Sequence, residues 1–468
     1  MARFLTIGIS ILLAVSWQLA PQPAQAGSLT PAVANDLLSA YELLEEEKSA
    51  EAITALNRLM ERRGDRMTEF DRASVMQIRG SAHVNEENLE EALADFEDAL
   101  RQNALPDEQQ NRLRFNMAQL YFVTEQYERS IRFFEEWMEE DPDEIPASTY
   151  FMLAGAHYQI NNYEESLEAI KKAMERSEDP ERRHYELKNV LYSELGNVPD
   201  RTMLLKRMVA HWPDELSFWR QLSSLYLEQD EELKSFSALE SAYISGLIED
   251  EGDILILGQF YSSFNNPYRG ARLISREMDD GNVERSVENL ELLSQLWSQA
   301  REHRRAIPIL NEAASLSETG NLYFRLGQAY LATEDNEEAA SAFEAAIDRG
   351  GLEDNLAEAW VLLGNALFNQ AGPGDREQRR AADRAFAEAE RFASTRAQAR
   401  DWRTYIKAID DTETRQAQLE ADQAERLEEA AQERFLTACR AQQLAGTTLS
   451  DECRAALEAA REAEEAEF

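Results

Sequence analysis

Apolar side chains recur at three- and four-residue spacing along almost the whole chain, and alternating β-branched runs are nearly missing. This pattern predicts helix after helix and no sheet. A longer period overlies the short one. The stretch Asn321 to Tyr330 (NLYFRLGQAY) is followed by Ala339, Phe343 and Ala346. Trp360, Leu363, Gly364 and Leu367 repeat its first half, and Ala382, Phe386 and Ala389 its second, with Gly372, Pro373 and Gly374 lengthening the turn between. Traced toward the N-terminus, the same first-helix position falls at Leu290, Ile254, Trp219, Tyr185, Tyr150, Arg114, Met76 and Asp36. From Asp36 through Tyr323 to Trp360 the spacings are 40, 38, 36, 35, 34, 35, 36, 33 and 37. Small residues mark the second helices (Ala92, Ala99, Ser130, Ser166, Ala173, Ala242, Ala306, Ala313), and Pro142 and Pro213 close two units. Ten units result, the first and fifth the most degenerate.

The order bulky, Leu-Gly, Tyr, then Ala, Phe, Ala resembles the tetratricopeptide repeat, whose period is about 34 residues. The resemblance implies an all-α fold: a tetratricopeptide-repeat superhelix of about ten helical hairpins over residues 27–396, with a C-terminal helical tail. A lone hairpin cannot bury its apolar face, so stacking on neighbours supplies the core. A tandem array of another hairpin type is the alternative. Residues 397–410 read as a closing helix with Trp402, Tyr405 and Ile406 on one side. Over 411–468 Glu, Ala, Gln and Arg dominate and proline is absent. Leu427, Ala431, Phe435 and Ala438 give only a thin stripe there, the pattern of an exposed acidic helix. Ala441 to Ser450 breaks it around Gly446, and a second short helix follows.

The first 26 residues carry Arg3, an apolar run from Phe4 to Trp17, then Pro21, Pro23 and the small-residue site Ala24-Gln25-Ala26. These are the parts of a secretory signal peptide, with cleavage after Ala26 and a mature chain that begins at Gly27. The expected location is the periplasm, and an uncleaved anchor is the alternative. In an exported chain two cysteines favour a disulfide, here Cys439 with Cys453. A redox pair is the other reading, but the C-x-x-C spacing is missing.

Composition narrows the function. Of 468 residues, 48 are Lys or Arg and 89 are Asp or Glu, a net charge of −41. That sign excludes sequence-independent nucleic-acid binding, which needs basic surface against phosphates. It also disfavours anionic lipid surfaces. It suits a solvated surface or basic partners. His83, His157, His184, His211 and His303 are scattered, and no two share one helical face, so no metal site is expected. His83 and His157 fall in the slot where other units carry Tyr. No H-E-x-x-H, G-x-S-x-G or P-loop occurs, so neither enzyme activity nor a cofactor is expected.

In the repeat family, first helices line a concave surface. By register that face carries Phe115, Gln119, Phe122, Phe151 and Tyr158, then Arg220, Ser224, Gln259 and Gln295, then Phe324, Gln328, Asn365 and Phe368. Aromatics there suit apolar side chains of an extended peptide, and Gln and Asn suit its backbone. The Lys/Asn set of the carboxylate-clamp subclass is missing from this face, so it is not expected to take an acidic C-terminus. Phe218–Leu227 (FWRQLSSLYL), Asn266–Ala271 (NPYRGA) and Leu296–Ala300 (LWSQA) add a finer resemblance, together with Asn321–Leu331 and Asp401–Ile406 (DWRTYI). These stretches are similar to exported tetratricopeptide proteins of proteobacteria encoded beside TonB, ExbB and ExbD. Over residues 36–410 the resemblance implies a periplasmic protein-binding scaffold accessory to TonB-dependent outer-membrane transport, with TonB or ExbD periplasmic regions as partners. The other reading is a cell-envelope assembly scaffold for pilus, polysaccharide or outer-membrane biogenesis. The Cys-bearing tail has no counterpart in that resemblance.

Overall fold

The structure, a computed structural model, describes residues 27–139 and 145–466. The leader read at residues 1–26 and the closing Pro142 lie outside the described residues. All regular structure among the described residues is helical, arranged as consecutive hairpins. Hairpins one to four are α1 (Pro31–Glu45) with α2 (Ser49–Arg63), α3 (Glu69–Asn85) with α4 (Leu89–Arg101), α5 (Asp107–Val123) with α6 (Tyr127–Met138), and α7 (Ala147–Gln159) with α8 (Tyr163–Arg176). Then come α9 (Arg182–Glu194) with α10 (Val198–His211), α11 (Leu216–Glu228) with α12 (Glu232–Ile244), and α13 (Glu251–Ser263) with α14 (Pro267–Asp280). The last three are α15 (Val287–Gln299) with α16 (His303–Leu316), α17 (Asn321–Ala332) with α18 (Asn336–Arg349), and α19 (Leu356–Gln370) with α20 (Arg376–Ala389). Each of the ten register positions read from the sequence lies in the first helix of its hairpin. The chain forms two compact units, divided between Ser235 and Phe236.

One contact recurs inside the hairpins. A first-helix glycine at residues 80, 258, 327 and 364 faces a large side chain of its own second helix. A Cβ there would collide with the Phe96 ring, and would sit 2.5 Å from Ile274, 2.7 Å from the Phe343 ring and 2.6 Å from the Phe386 ring. The four large side chains are buried. Other hairpins place Ala40, Ala118 and Ala154 in the small slot, with Leu56, Phe134 and Ile170 buried at the large one. Where the second helix crosses, Ser130 Oγ donates to the Ala118 carbonyl at 2.7 Å, and Ser166 Oγ to the Ala154 carbonyl at 2.6 Å. Hairpin five departs: Asn189 takes the small slot and bonds Arg201 and Gln221. The degeneracy seen in its sequence is thus a polar contact in place of an apolar one.

The turn inside each hairpin is also periodic. A residue with φ between 57° and 65° ends eight of the first helices: Glu47, Glu87, Glu125, Asn161, Asp230, Asn265, Arg301 and Glu334. Gly196 fills the same place in hairpin five. The next N–H reaches back to the helix, as Gln126 to the Tyr121 carbonyl at 2.8 Å and Asn162 to the His157 carbonyl at 2.9 Å. That bond satisfies a carbonyl the helix end would leave open.

The tail differs from its sequence reading at one boundary. The closing helix expected over 397–410 does not stop there: α21 runs from Arg396 to Leu444 without interruption. Residues 411–444 contain neither proline nor glycine, so nothing ends it. Its first turns pack on hairpin ten, with Trp402 stacked on Phe386 at 5.4 Å. The buried Arg379 donates to Asp410 at 2.8 Å and also bonds Glu413. Beyond this anchor α21 is largely exposed. The helix break starts later than the Ala441 read from the sequence, at residues 445–450 around Gly446, and the second helix, α22 (Asp451–Ala466), follows it as expected. A disulfide joins Cys439 to Cys453, with Cα atoms 5.3 Å apart. No helix among the described residues is long and apolar enough to cross a membrane.

Two glycines separate packing from backbone effects. Gly327→Val should cost about 1–3 kcal/mol by overpacking against Phe343. Gly64 is right-handed and has nothing within 4 Å of a built Cβ, so Gly64→Ala should be neutral or gain about 0.4–1 kcal/mol. Hydrogen exchange in hairpins nine and one checks both. Faster exchange in hairpin nine only for Gly327→Val is the expected result.

Candidate functional site

The first-helix face is built from columns set by the small slot. The residue one place after the slot points outward, and the residue four places after it lies on the same face one turn on. In the second unit the first of these columns reads Gln259, Gln295 and Gln328, all exposed, and then the half-buried Asn365. The Oδ1 of Asn365 is buried without a hydrogen-bond partner. Four successive hairpins thus offer an amide at one register. Ser262 and Gln299 close a bond beside this row at 2.5 Å.

In the first unit the same columns carry Gln119, Phe122 and Tyr158, all half-buried, and the exposed Ser224. Phe122 packs edge-on against Tyr127 at 5.6 Å and lies over Gly155 of the next hairpin, 3.3 Å from a built Cβ. Tyr158 rests on Tyr163 at 5.8 Å. Phe115, half-buried, leans on Trp137 at 4.6 Å. Arg220 is exposed.

Two sequence-predicted contacts are core instead. Phe151 is 6% exposed and Phe324 is 4% exposed. Both stand three places before the small slot, a position that is buried in these two hairpins although it is half-buried at Phe115 and exposed at Arg220. Phe151 meets His184 of hairpin five at 4.6 Å, and Phe324 meets Phe343 at 5.9 Å. Phe368 keeps the right register, but α21 covers part of its ring through Trp402 at 5.2 Å and Tyr405 at 5.9 Å. Sequence reasoning missed Gly155, the floor beneath Phe122, and Leu227, which is 45% exposed. Counting outward from the small slot finds both.

The histidines sit within the array, apart from one another. The Nδ1 atoms of His83 and His157 are buried without partners. Burial holds His157 and His184 below the ordinary histidine range. Tyr121, buried and bonded to Glu97, is pushed up to about 12.

A family model for the tetratricopeptide repeat matches residues 147–180 and 320–349, which are hairpins four and nine. No curated protein matches the sequence. Among solved structures, the chain is similar to a tetratricopeptide repeat protein from Parabacteroides merdae at 14% identity and TM-score 0.32, covering 58% of this chain and 99% of that one. It is similar to YrrB, described as a TPR protein with an unusual peptide-binding site, at 15% identity and TM-score 0.31, covering 40% of this chain and 90% of that one. It is also similar to MamA from Desulfovibrio magneticus RS-1 at 13% identity and TM-score 0.27, covering 47% of this chain and 97% of that one.

The neutral buried histidines make stability depend on pH. The unfolded chain protonates them near 6.5, whereas the fold does so only at lower pH, so unfolding takes up protons in that window. The melting temperature should therefore fall as pH drops below about 6.5, before carboxylates titrate. His157→Tyr, the residue other hairpins carry in this slot, should reduce that fall. Calorimetry across the window checks the slope. An equal slope in the variant would remove His157 from the account.

Proposed function

We propose that the protein is a binding scaffold that holds an extended segment of a partner protein along its first-helix face. The observation that carries this reading is the amide row Gln259, Gln295, Gln328 and Asn365 on four successive hairpins. An extended chain presents backbone donors and acceptors at regular intervals, and side-chain amides supply both kinds of group. The first unit, taken by itself, offers the half-buried Phe122 and Tyr158 as apolar anchors on its own first-helix face, and such anchors often dominate binding energy. The partner class is basic, because a chain of net charge −41 steers positive segments toward itself.

The location proposed is the periplasm, after removal of residues 1–26. The Cys439–Cys453 disulfide supports an oxidising compartment. Within it, the resemblance at residues 218–227, 266–271 and 296–300 supports a role beside a TonB-type energy transducer. The periplasmic linkers of such transducers are, as a family, rich in Pro and Lys. They are therefore extended, as an amide row suits, and positively charged, as the net charge of the chain favours.

The test uses a labelled Pro- and Lys-rich linker peptide of a TonB-type transducer and the whole mature chain. Fluorescence anisotropy should show binding that weakens as salt rises. The triple variant Gln259→Ala, Gln295→Ala, Gln328→Ala should weaken it by about tenfold, or roughly 1.4 kcal/mol. Its circular dichroism melt should not change, because these side chains are exposed. Unchanged affinity in the triple variant would overturn the assignment of the face. Absence of binding at any salt would overturn the partner class.

A further inference from the structure

The second unit holds a cleft of about 520 Å³ whose charge is opposite to that of the chain. It opens among second helices, α12, α14 and α16, with Tyr261 of α13 and Trp297 of α15 contributing to its walls. Four arginines line it, Arg269, Arg272, Arg276 and Arg305, against two carboxylates, Glu240 and Asp279. All four arginines are exposed. Ile244, at the edge of the cleft, is 75% exposed.

Aromatic faces hold three of these guanidinium groups, and carboxylates meet two of the three. Arg269 lies over Tyr261 at 5.6 Å, Arg276 over Tyr243 at 5.5 Å, and Arg305 over Trp297 at 5.0 Å. Stacking fixes the plane of a guanidinium while leaving the N–H groups at its edge available for a planar oxyanion. The carboxylates nearby are partly spent. Glu240 accepts from the Tyr261 hydroxyl, and the buried Glu277 accepts from Tyr243, Asn282 and Arg276. Arg305 has Glu302 at 3.5 Å. Arg272 has no carboxylate within 4.0 Å among the described residues.

We infer that this cleft is a second binding site, for an acidic peptide segment whose carboxylates pair with Arg269 and Arg272 while a neighbouring apolar side chain lies on Ile244 and Leu273. The argument is charge complementarity: the surrounding surface repels such a segment, so a positive cleft of ligand size within it is selective. Bidentate pairing with the stacked Arg269 and the carboxylate-free Arg272 favours carboxylates over a diffuse negative field. The site lies on second helices, apart from the amide row, and the inference does not rest on that row. Only together with the first-helix reading proposed above would it make the protein a bridge between a basic and an acidic partner.

The test uses the whole mature chain and three probes: a short labelled peptide of glutamates around one phenylalanine, its glutamine counterpart, and inorganic phosphate. The glutamate peptide should bind, its counterpart at least tenfold more weakly, and phosphate should not displace it at equal concentration. Arg272→Glu should weaken binding at least tenfold, and Arg272→Ala by less, both with unchanged melts. The Gln259, Gln295 and Gln328 triple variant should bind the peptide as the parent does, which separates this site from the first-helix face. Equal binding of the two peptides, displacement by phosphate, or no effect of Arg272→Glu would each overturn the inference.

Discussion

The structure depends on one short-range constraint: outside hairpin five, a small residue on the first helix must lie under a large side chain of the second. At Gly80, Gly258, Gly327 and Gly364 the space for a Cβ is already taken by Phe96, Ile274, Phe343 and Phe386. This contact sets how closely the two helices approach and where they cross. Helix packing is dense and tolerates little change of volume, so the contact also fixes rotation about each helix axis. Once rotation is fixed, the side chain one place after the small slot must face outward. The exposed amide row therefore follows from a packing rule in the core. Phe151 and Phe324 stand on the other side of the slot, where the neighbouring rings of His184 and Phe343 cover them.

Much of this was legible in the sequence, because a core constraint leaves residue types behind. The Leu-Gly and Ala slots revealed the register, and the spacing between units located all ten first helices. The tail break near Gly446 and the cysteine pair were legible for the same reason: each depends on residue type. What escaped reading depends on geometry. The left-handed turn position is occupied by Glu, Asn, Asp, Arg and Gly in turn, so its period leaves no signature in composition. The extent of α21 escaped because exposed helix and packed helix were read as separate elements, although no residue between them stops a helix. The half-covering of Phe368 requires knowing that α21 folds back on hairpin ten.

The arginine cleft escaped for a different reason. Its lining comes from several helices of consecutive hairpins, and a net charge of −41 conceals a local excess of positive charge. Composition describes the average field, whereas binding depends on the field where a ligand sits. The two faces of the second unit thus have opposite chemistry, with neutral amides on first helices and stacked guanidinium groups among second helices. A scaffold with such faces can hold two partners that differ in charge without competition for one surface.

The central claim is that an extended basic segment lies on the first-helix face, and site-specific photocrosslinking tests it most directly. A photoreactive amino acid would be placed at residue 295 in one protein and at residue 244 in another, each with the Pro- and Lys-rich linker peptide bound. The account predicts crosslinks from residue 295 and none from residue 244. Crosslinks from residue 244 with none from residue 295 would contradict it.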